Sequence, residues 1–136
     1  MSATRDLRES LSRYMLIIPV ARATGTVLGA IVDTWTNGLG IHDNMLLLVN
    51  QGAIGTSVNL ILEHSHTRAV GSFVDHSALT QITAANTFYD SHKRRFRRYI
   101  RIRCVTVAGQ ATSITSVTFV ANRTRREPVA LIGTAI

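Results

Sequence analysis

Residues 98–121 read RYIRIRCVTVAGQATSITSVTFVA, and this stretch decides the fold class. Val, Ile and Thr dominate residues 98–107 and 113–121, a composition typical of β-strands. Gly109, a residue type that favours tight turns, lies between the two runs. The sequence therefore predicts two strands joined as a hairpin through residues 108–111.

The alternation of residue types within the first run predicts which side of its strand is buried. Successive side chains of a strand point to opposite faces, so Ile100, Ile102 and Cys104 share one face. Arg101 and Arg103 share the opposite face. We therefore expect an apolar face against a core and an arginine-bearing face directed away from it.

The same strand signals recur outward along most of the chain. Short runs rich in β-branched residues are separated by Gly and Asn turn signals, with no convincing amphipathic helix between them. The continuously apolar residues 45–49 favour a central strand covered on both faces. Eight such runs predict a single-domain all-β fold, a β-sandwich or jelly roll. The predicted strands are residues 15–20, 26–33, 45–50, 56–65, 79–83, 87–89, 98–107 and 113–121.

A polar segment precedes these strands in a chain of 136 residues, which is the size of one domain. Leu7 and Leu11 are spaced as on one face of a helix, although a terminal segment can equally become ordered only against a partner. We predict an extended or partly helical N-terminal arm with the first strand in residues 1–25, followed by a β-sandwich domain in residues 26–136.

Composition narrows the class of protein further. Hydrophobic residues make up 46% of the chain, which excludes a disordered protein, and the single cysteine, Cys104, excludes an internal disulfide. No apolar run reaches the roughly 18 residues of a membrane span, and no signal-peptide pattern is present, so we expect no membrane partner.

The chain carries 15 basic against 8 acidic residues, and Lys93 is its only lysine. The planar guanidinium group of arginine is well suited to bind carboxylates and phosphates. This excess of arginine therefore predicts a protein that binds a partner through its basic residues.

Motifs for catalysis and for cofactors are missing from the sequence. The carboxylates are scattered, and neither a Gly-x-Ser-x-Gly elbow nor a phosphate-binding glycine loop is present, so we predict no enzyme and no cofactor. His64 and His66 share one face of a predicted strand and could present two imidazoles to a metal, with His76 and His92 as further ligands. Only two of these ligands are certain to converge. We therefore interpret His64 and His66 as polar residues on the solvent face near a strand end, and we predict no metal site.

The strongest functional signal is the basic segment at residues 93–103, KRRFRRYIRIR, which holds seven of the 15 basic residues. It could bind nucleic acid, contact a neighbouring protein subunit, or form a solvated strand face. A merely solvated face favours lysine, and an aromatic fraction of 6% without a nucleic-acid-binding motif argues against nucleic acid. We therefore favour a protein interface. The predicted contact residues are Arg94, Arg95, Arg97, Arg98, Arg101 and Arg103, with Leu7, Leu11 and Tyr14 of the arm.

Several segments also resemble a known family. LILEHS at residues 60–65, QITAAN at 81–86, RRYIR at 97–101 and NRTRREPV at 122–129 are similar to segments of small virion proteins of tailed bacteriophages. Those proteins are encoded near the major capsid protein and serve as head decoration, cement or minor structural proteins. The resemblance covers roughly residues 26–130.

This resemblance implies a β-sandwich or jelly roll that binds the major capsid protein in the virion head and stabilises the shell without catalysis. It also implies a homo-oligomer, with a trimer at local threefold positions favoured. The basic surface would then sit on an acidic capsid lattice. Two alternatives stay open, namely a nucleic-acid-binding β-domain that uses the arginine-rich strand and another virion component at the head–tail junction or tail.

Overall fold

The computed structural model describes residues 11–34 and 44–122. These ranges form strands and a short 3₁₀ helix at Val70–Ser72, and no helix in them is long and apolar enough to cross a membrane. The predicted arm residue Leu7 lies outside the described residues. The strands are β1 Leu11–Ile17, β2 Ala21–Arg22, β3 Gly25–Leu28, β4 Val32–Asp33, β5 Asn44–Gln51, β6 Ser57–Ser65, β7 Val74–Ala78, β8 Thr87–Arg94, β9 Tyr99–Val107 and β10 Ser113–Asn122.

The strands form two antiparallel sheets that enclose one core. The first sheet has the order β1-β10-β5-β8, with the short β2 on β10, and the second has the order β3-β9-β6-β7, with the short β4 on β9. Among the eight longer strands, the chain changes sheet at every connection except the one between β6 and β7. This alternation is the jelly-roll arrangement, in which two packed sheets bury one face each. The predicted all-β sandwich is confirmed.

The core lies between the inner faces of the two sheets. The predicted alternation of β9 is confirmed, because Ile100, Ile102 and Cys104 are all fully buried. Each buried aliphatic or aromatic side chain of this kind contributes about 1.5–3 kcal/mol through removal of apolar surface from water. The other fully buried side chains of the two inner faces include Leu47, Val49, Val58, Leu60, Leu62, Val117 and Phe119.

The predicted hairpin between residues 98–107 and 113–121 is wrong. Both strands exist, but β9 lies in the second sheet and β10 in the first, so their connection crosses the end of the sandwich. Gly109 has φ of 61° in this connection, as a tight turn requires, and the Ala111 N–H donates to the Ala108 carbonyl at 3.0 Å. Turn residues predict a reversal of the chain, but they do not determine which strand each run pairs with.

Four other predicted strands have different bounds. The strand predicted at residues 15–20 is β1 at Leu11–Ile17, and the strand predicted at residues 26–33 is divided into β3 and β4. Residues 79–83 form no strand, although Leu79 and Ile82 are buried, and the neighbouring strand is β7 at Val74–Ala78. The strand predicted at residues 87–89 continues to Arg94 as β8. The alternating exposed and half-buried positions of β8 are mostly polar, so the apolar pattern that indicates a strand is weak there.

The apolar run at residues 45–49 is central, as predicted, because β5 lies between β10 and β8. Its two faces differ, since Met45, Leu47 and Val49 are fully buried whereas Leu46 and Leu48 are only partly buried. The prediction that both faces of this strand are covered is therefore correct for the inner face only. A two-layer sandwich places a second layer on the inner face alone.

Candidate interaction surface at a basic end of the sandwich

The turn that joins β8 to β9 crosses from the first sheet to the second and carries dense basic charge. Phe96 anchors this turn, since its side chain is only 9% exposed and belongs to the core. Arg95 adopts a left-handed backbone conformation with φ of 58°. The burial of one aromatic ring thus fixes a turn in which Arg94 and Arg95 are exposed and Arg97 is half-buried.

Two histidines hold the two ends of this turn. Nδ1 of His64, in β6, accepts a hydrogen bond from the Arg97 backbone N–H at 3.0 Å. Nε2 of His76, in β7, donates to the Arg94 carbonyl at 2.7 Å, and the two imidazoles meet edge to face with centroids 4.9 Å apart. Burial, with added repulsion from His76, Arg97 and His66, lowers the pKa of His64 to about 4. His64 is therefore neutral at pH 7, and its Nδ1 is free of a proton and able to accept.

Three of the six predicted contact arginines bind carboxylates within the molecule, and Arg98 is the first of them. Its Nε and one terminal nitrogen donate to the two Asp33 carboxylate oxygens at 2.9 and 2.8 Å. Asp33 is buried in β4, directly opposite Tyr99 in the register with β9. The hydrogen bond to Asp33 raises the pKa of Arg98. This bidentate pair ties β4 to the start of β9.

Arg101 and Arg103 share a second carboxylate on the outer face of the second sheet. Glu63 lies opposite Arg101 in the pairing of β6 with β9, and the Arg101 Nε donates to it at 2.6 Å. Arg103 donates to the other Glu63 oxygen and, at 3.0 Å, to Asp75 of β7. The Arg101 guanidinium also lies 4.2 Å from the centroid of the Phe73 ring. Arg101 and Glu63 are consequently both buried, at 7% and 4% exposure.

Sequence reasoning missed these acidic partners because it searched for carboxylates at short spacing. Asp33, Glu63 and Asp75 are far apart in the chain, and only strand register brings each of them to an arginine. One signal could have found Glu63, which stands among apolar residues in a predicted strand. A carboxylate in that setting is rarely buried without a partner, so it indicates a cross-strand arginine.

Four other arginines lie at one end of the sandwich. Arg94 ends β8, Arg95 and Arg97 lie in the turn after it, and Arg68, which the sequence did not single out, follows β6 with its guanidinium 5.2 Å from the Tyr99 ring centroid. Within the described ranges, none of the four forms an ion pair with a carboxylate. We call these four arginines the basic end. Arg94, Arg95 and Arg97 are thus the predicted contact arginines that form no ion pair within the described ranges, and Arg68 lies beside them.

The aromatic residues near the basic end are occupied by other contacts. Phe96 is buried in the core, and Tyr99 has the guanidinium of Arg68 on its ring at 5.2 Å and that of Arg98 at 5.0 Å. Bases of a nucleic acid stack on exposed aromatic rings, whereas Phe96 is buried and the half-buried Tyr99 ring already contacts two guanidinium groups. The chemistry of this surface is thus that of guanidinium groups with carboxylates or phosphates.

Two of the predicted arm residues lie within the described ranges. Leu11 and Tyr14 belong to β1, which is the edge strand of the first sheet opposite to β8. Tyr14 is half-buried and its ring packs near Phe119, with centroids 6.2 Å apart. The structure therefore places Leu11 and Tyr14 on the edge strand opposite to the one that ends at Arg94, and the contact role of the arm stays a separate prediction.

The histidines that were considered as metal ligands have other surroundings. The His64 ring accepts from Arg97, whereas His66 follows the end of β6 and is exposed. His92 is exposed on β8, and His76 is bound to the turn. In the part of the chain that the structure describes, no three His, Cys, Asp or Glu residues are grouped so that they could hold a metal ion.

Comparison with known proteins identifies the fold. The sequence matches no protein-family model and no curated protein. Three solved structures superimpose on 82% of the chain: the PBSX exported protein XepA with a TM-score of 0.58 and 19% identity, PirA with 0.51 and 8%, and the SPBc2 prophage-derived protein YomS with 0.47 and 11%. The chain spans only 37% of the length of XepA but 94% of PirA and 93% of YomS. At such identities, the likeness to XepA and PirA establishes a shared fold.

Proposed function

We propose that this protein is a non-catalytic structural component of a phage particle, and that its basic end binds an acidic protein surface, with the capsid shell as the favoured partner. This proposal rests mainly on one observation, namely that some of the arginines are paired with carboxylates and others are not. Arg98, Arg101 and Arg103 are neutralised by internal carboxylates, whereas the four arginines of the basic end have no such partner within the described ranges. The resemblance of sequence segments to phage virion proteins and the fold shared with the phage-derived XepA support the phage context.

An acidic protein surface suits the basic end better than a nucleic acid does. Arginine binds carboxylates through a planar fork, and Arg98 with Asp33 illustrates that geometry in this molecule. Proteins that bind single strands add aromatic stacking to phosphate contacts, but Phe96 is buried and the Tyr99 ring already contacts the guanidinium groups of Arg68 and Arg98. The favoured ligand is therefore a group of carboxylates on a protein.

The strength of such binding depends on the number of copies. Exposed ion pairs contribute about 0.2–1 kcal/mol each, so four arginines supply at most about 4 kcal/mol, which corresponds to a Kd near 1 mM. One protein molecule would bind weakly. An oligomer on a repeating lattice engages several basic ends at once, and avidity then raises the apparent affinity by about 10²–10⁴. A ligand that binds only the assembled shell also stabilises the shell by mass action.

Removal of the turn arginines tests the surface. The variant Arg94→Ser/Arg95→Ser/Arg97→Ser lowers the net charge from +7 to +4, and Arg123→Ser/Arg125→Ser/Arg126→Ser produces the same charge outside the described residues. Binding of both variants and of wild type to immobilised poly-L-glutamate, and to single-stranded and duplex DNA, is measured at about 100 mM salt. We expect the turn variant to lose at least tenfold in affinity for polyglutamate and the control variant to lose less than threefold.

Two results would contradict the proposal. Equal losses in the two variants would show that net charge, not the basic end, is responsible for binding. Tighter binding to DNA than to polyglutamate, abolished in the turn variant, would establish the nucleic-acid alternative. The predicted trimer is tested separately by sedimentation equilibrium, where we expect a mass of about 45 kDa, three times the chain mass of 14.9 kDa.

A further inference from the structure

We infer that His64 and His76 form an acid-sensitive latch, which fixes the basic end at neutral pH and releases one side of it when the His64 imidazole is protonated. The consequence for binding depends on the function proposed above, but the latch itself depends only on the geometry of the turn. It regulates the surface by setting how well ordered its arginines are.

The latch has two hydrogen bonds of different chemistry. The His76 Nε2–H donates to the Arg94 carbonyl, and an imidazole can donate from this nitrogen whether it is neutral or protonated. The His64 Nδ1 accepts from the Arg97 N–H, which only an unprotonated nitrogen can do. Acid therefore breaks the bond to Arg97 and leaves the bond to Arg94 intact.

The surroundings of His64 make its protonation disruptive. His76 from β7, Arg97 from the turn and His66 from the segment after β6 are the charged or titratable groups that act on His64, and each of them opposes a positive charge. Its register partners, Val74 on β7 and Ile100 on β9, are apolar.

Among the described residues, no carboxylate compensates the charge on His64. The acidic residues of the same two strands, Glu63 and Asp75, are bound to Arg101 and Arg103 on the outer face of the sheet. In protonated His64, Nδ1 carries a hydrogen, so this N–H donor would face the N–H donor of Arg97. Repulsion between the two donors then pushes the C-terminal side of the turn away.

Local strain favours this movement. Arg95 has φ of 58°, which is a left-handed backbone conformation. This conformation is unfavourable for residues other than Gly, Asn and Asp. Phe96, buried between the sheets, remains the inner anchor of the turn, so opening is expected to be local. In the opened state the side chains of Arg95 and Arg97 sample more conformations, and binding an acidic surface then requires ordering them again.

Hydrogen exchange at single amides measures the latch directly. The protection factor of the Arg97 amide, corrected for the intrinsic pH dependence of exchange, is followed by NMR from pH 6.5 to pH 4 in wild type, His64→Asn and His92→Asn. Asn places an oxygen near the position of Nδ1 and does not titrate, and His92 is an exposed histidine on β8 away from the latch. We expect at least a tenfold loss of Arg97 protection in wild type and in His92→Asn, and less than a threefold change in His64→Asn.

The binding arm uses dextran sulfate, whose charge does not change over this range. We expect the ratio of the wild-type affinity to the His64→Asn affinity to fall by up to about twofold between pH 6.5 and pH 4, where about half of the His64 side chains are protonated. Constant Arg97 protection in wild type, or an equal loss in wild type and His64→Asn, would overturn the latch whatever the binding result. If Arg97 opens as expected but neither dextran sulfate nor polyglutamate is bound at pH 6.5, the proposed function is refuted and the latch stands.

Discussion

Replacing the buried carboxylate Glu63 by its amide is the sharpest test of how the arginine-rich strand is stabilised. Glu63→Gln keeps the shape of the side chain but leaves the Arg101 guanidinium buried without a negative partner. Removing one member of a buried ion pair costs about 3–5 kcal/mol. The amide oxygen can still accept one hydrogen bond, and Arg103 keeps Asp75, so the expected loss is at the lower end, about 3 kcal/mol.

Urea unfolding followed by circular dichroism measures this loss. With a slope of about 2 kcal/mol per molar, a 3 kcal/mol loss lowers the midpoint by about 1.5 M, and the melting temperature falls by about 10 °C. Asp75→Asn is the matched control, because its carboxylate is 59% exposed and its pair with Arg103 should contribute less than about 1 kcal/mol. The midpoints are comparable only if the slope is unchanged between the variants.

A double variant separates the cost of an unpaired charge from the value of the pair. Glu63→Leu with Arg101→Met replaces both buried groups by apolar side chains of similar size, and such replacements are often neutral or stabilising. We expect the double variant to recover at least half of the loss seen in Glu63→Gln. The reasoning is refuted if Glu63→Gln loses less than 1 kcal/mol, or no more than Asp75→Asn does.

Two further predictions concern the basic end. Because the pKa of His64 is lowered in the folded protein, the unfolded chain binds a proton more readily, and stability present above pH 6.5 is lost as the pH falls toward 4. We expect the free energy of unfolding, measured by urea titration, to fall by about 2–3 kcal/mol over this range. This loss should be absent in His64→Asn. Arg95→Asn should raise the free energy of unfolding by about 0.5–1 kcal/mol, since Asn tolerates the left-handed conformation. Arg94→Asn, at a position without positive φ, is the control, and an equal gain there would contradict the explanation by strain.

The sequence predicted the strand-rich regions because their signal is local. In β9, Ile100, Ile102 and Cys104 alternate with larger polar side chains, and that period is visible without any knowledge of neighbouring strands. The bounds of β7 and β8 could not be predicted in this way, because β7 and β8 are edge strands with few fully buried apolar positions. The hairpin prediction failed for a related reason, since a turn residue gives the position of a reversal and not the sheet that the next strand joins.

The candidate site was predictable only in part. The excess of arginine and its concentration in residues 93–103 predicted a contact surface, and Arg94, Arg95 and Arg97 are the residues of that segment that the proposed function uses. The sequence could not separate these three from the other arginines of the segment, because the separation depends on carboxylates that are distant in the chain. Arg101 and Glu63, for example, are 38 residues apart.

The sequence by itself determined the class of fold, the inner face of β9 and the arginine-rich character of one segment, all of which follow from composition and period along the chain. The tertiary structure alone decided which of the described arginines are paired with carboxylates and which are not. It did so through strand register, which sets Glu63 opposite Arg101 and Asp33 beside Arg98. It also set His64 and His76 against the two ends of the basic turn. Register arises from the packing of two whole sheets against one core, and no local stretch of residues contains that information.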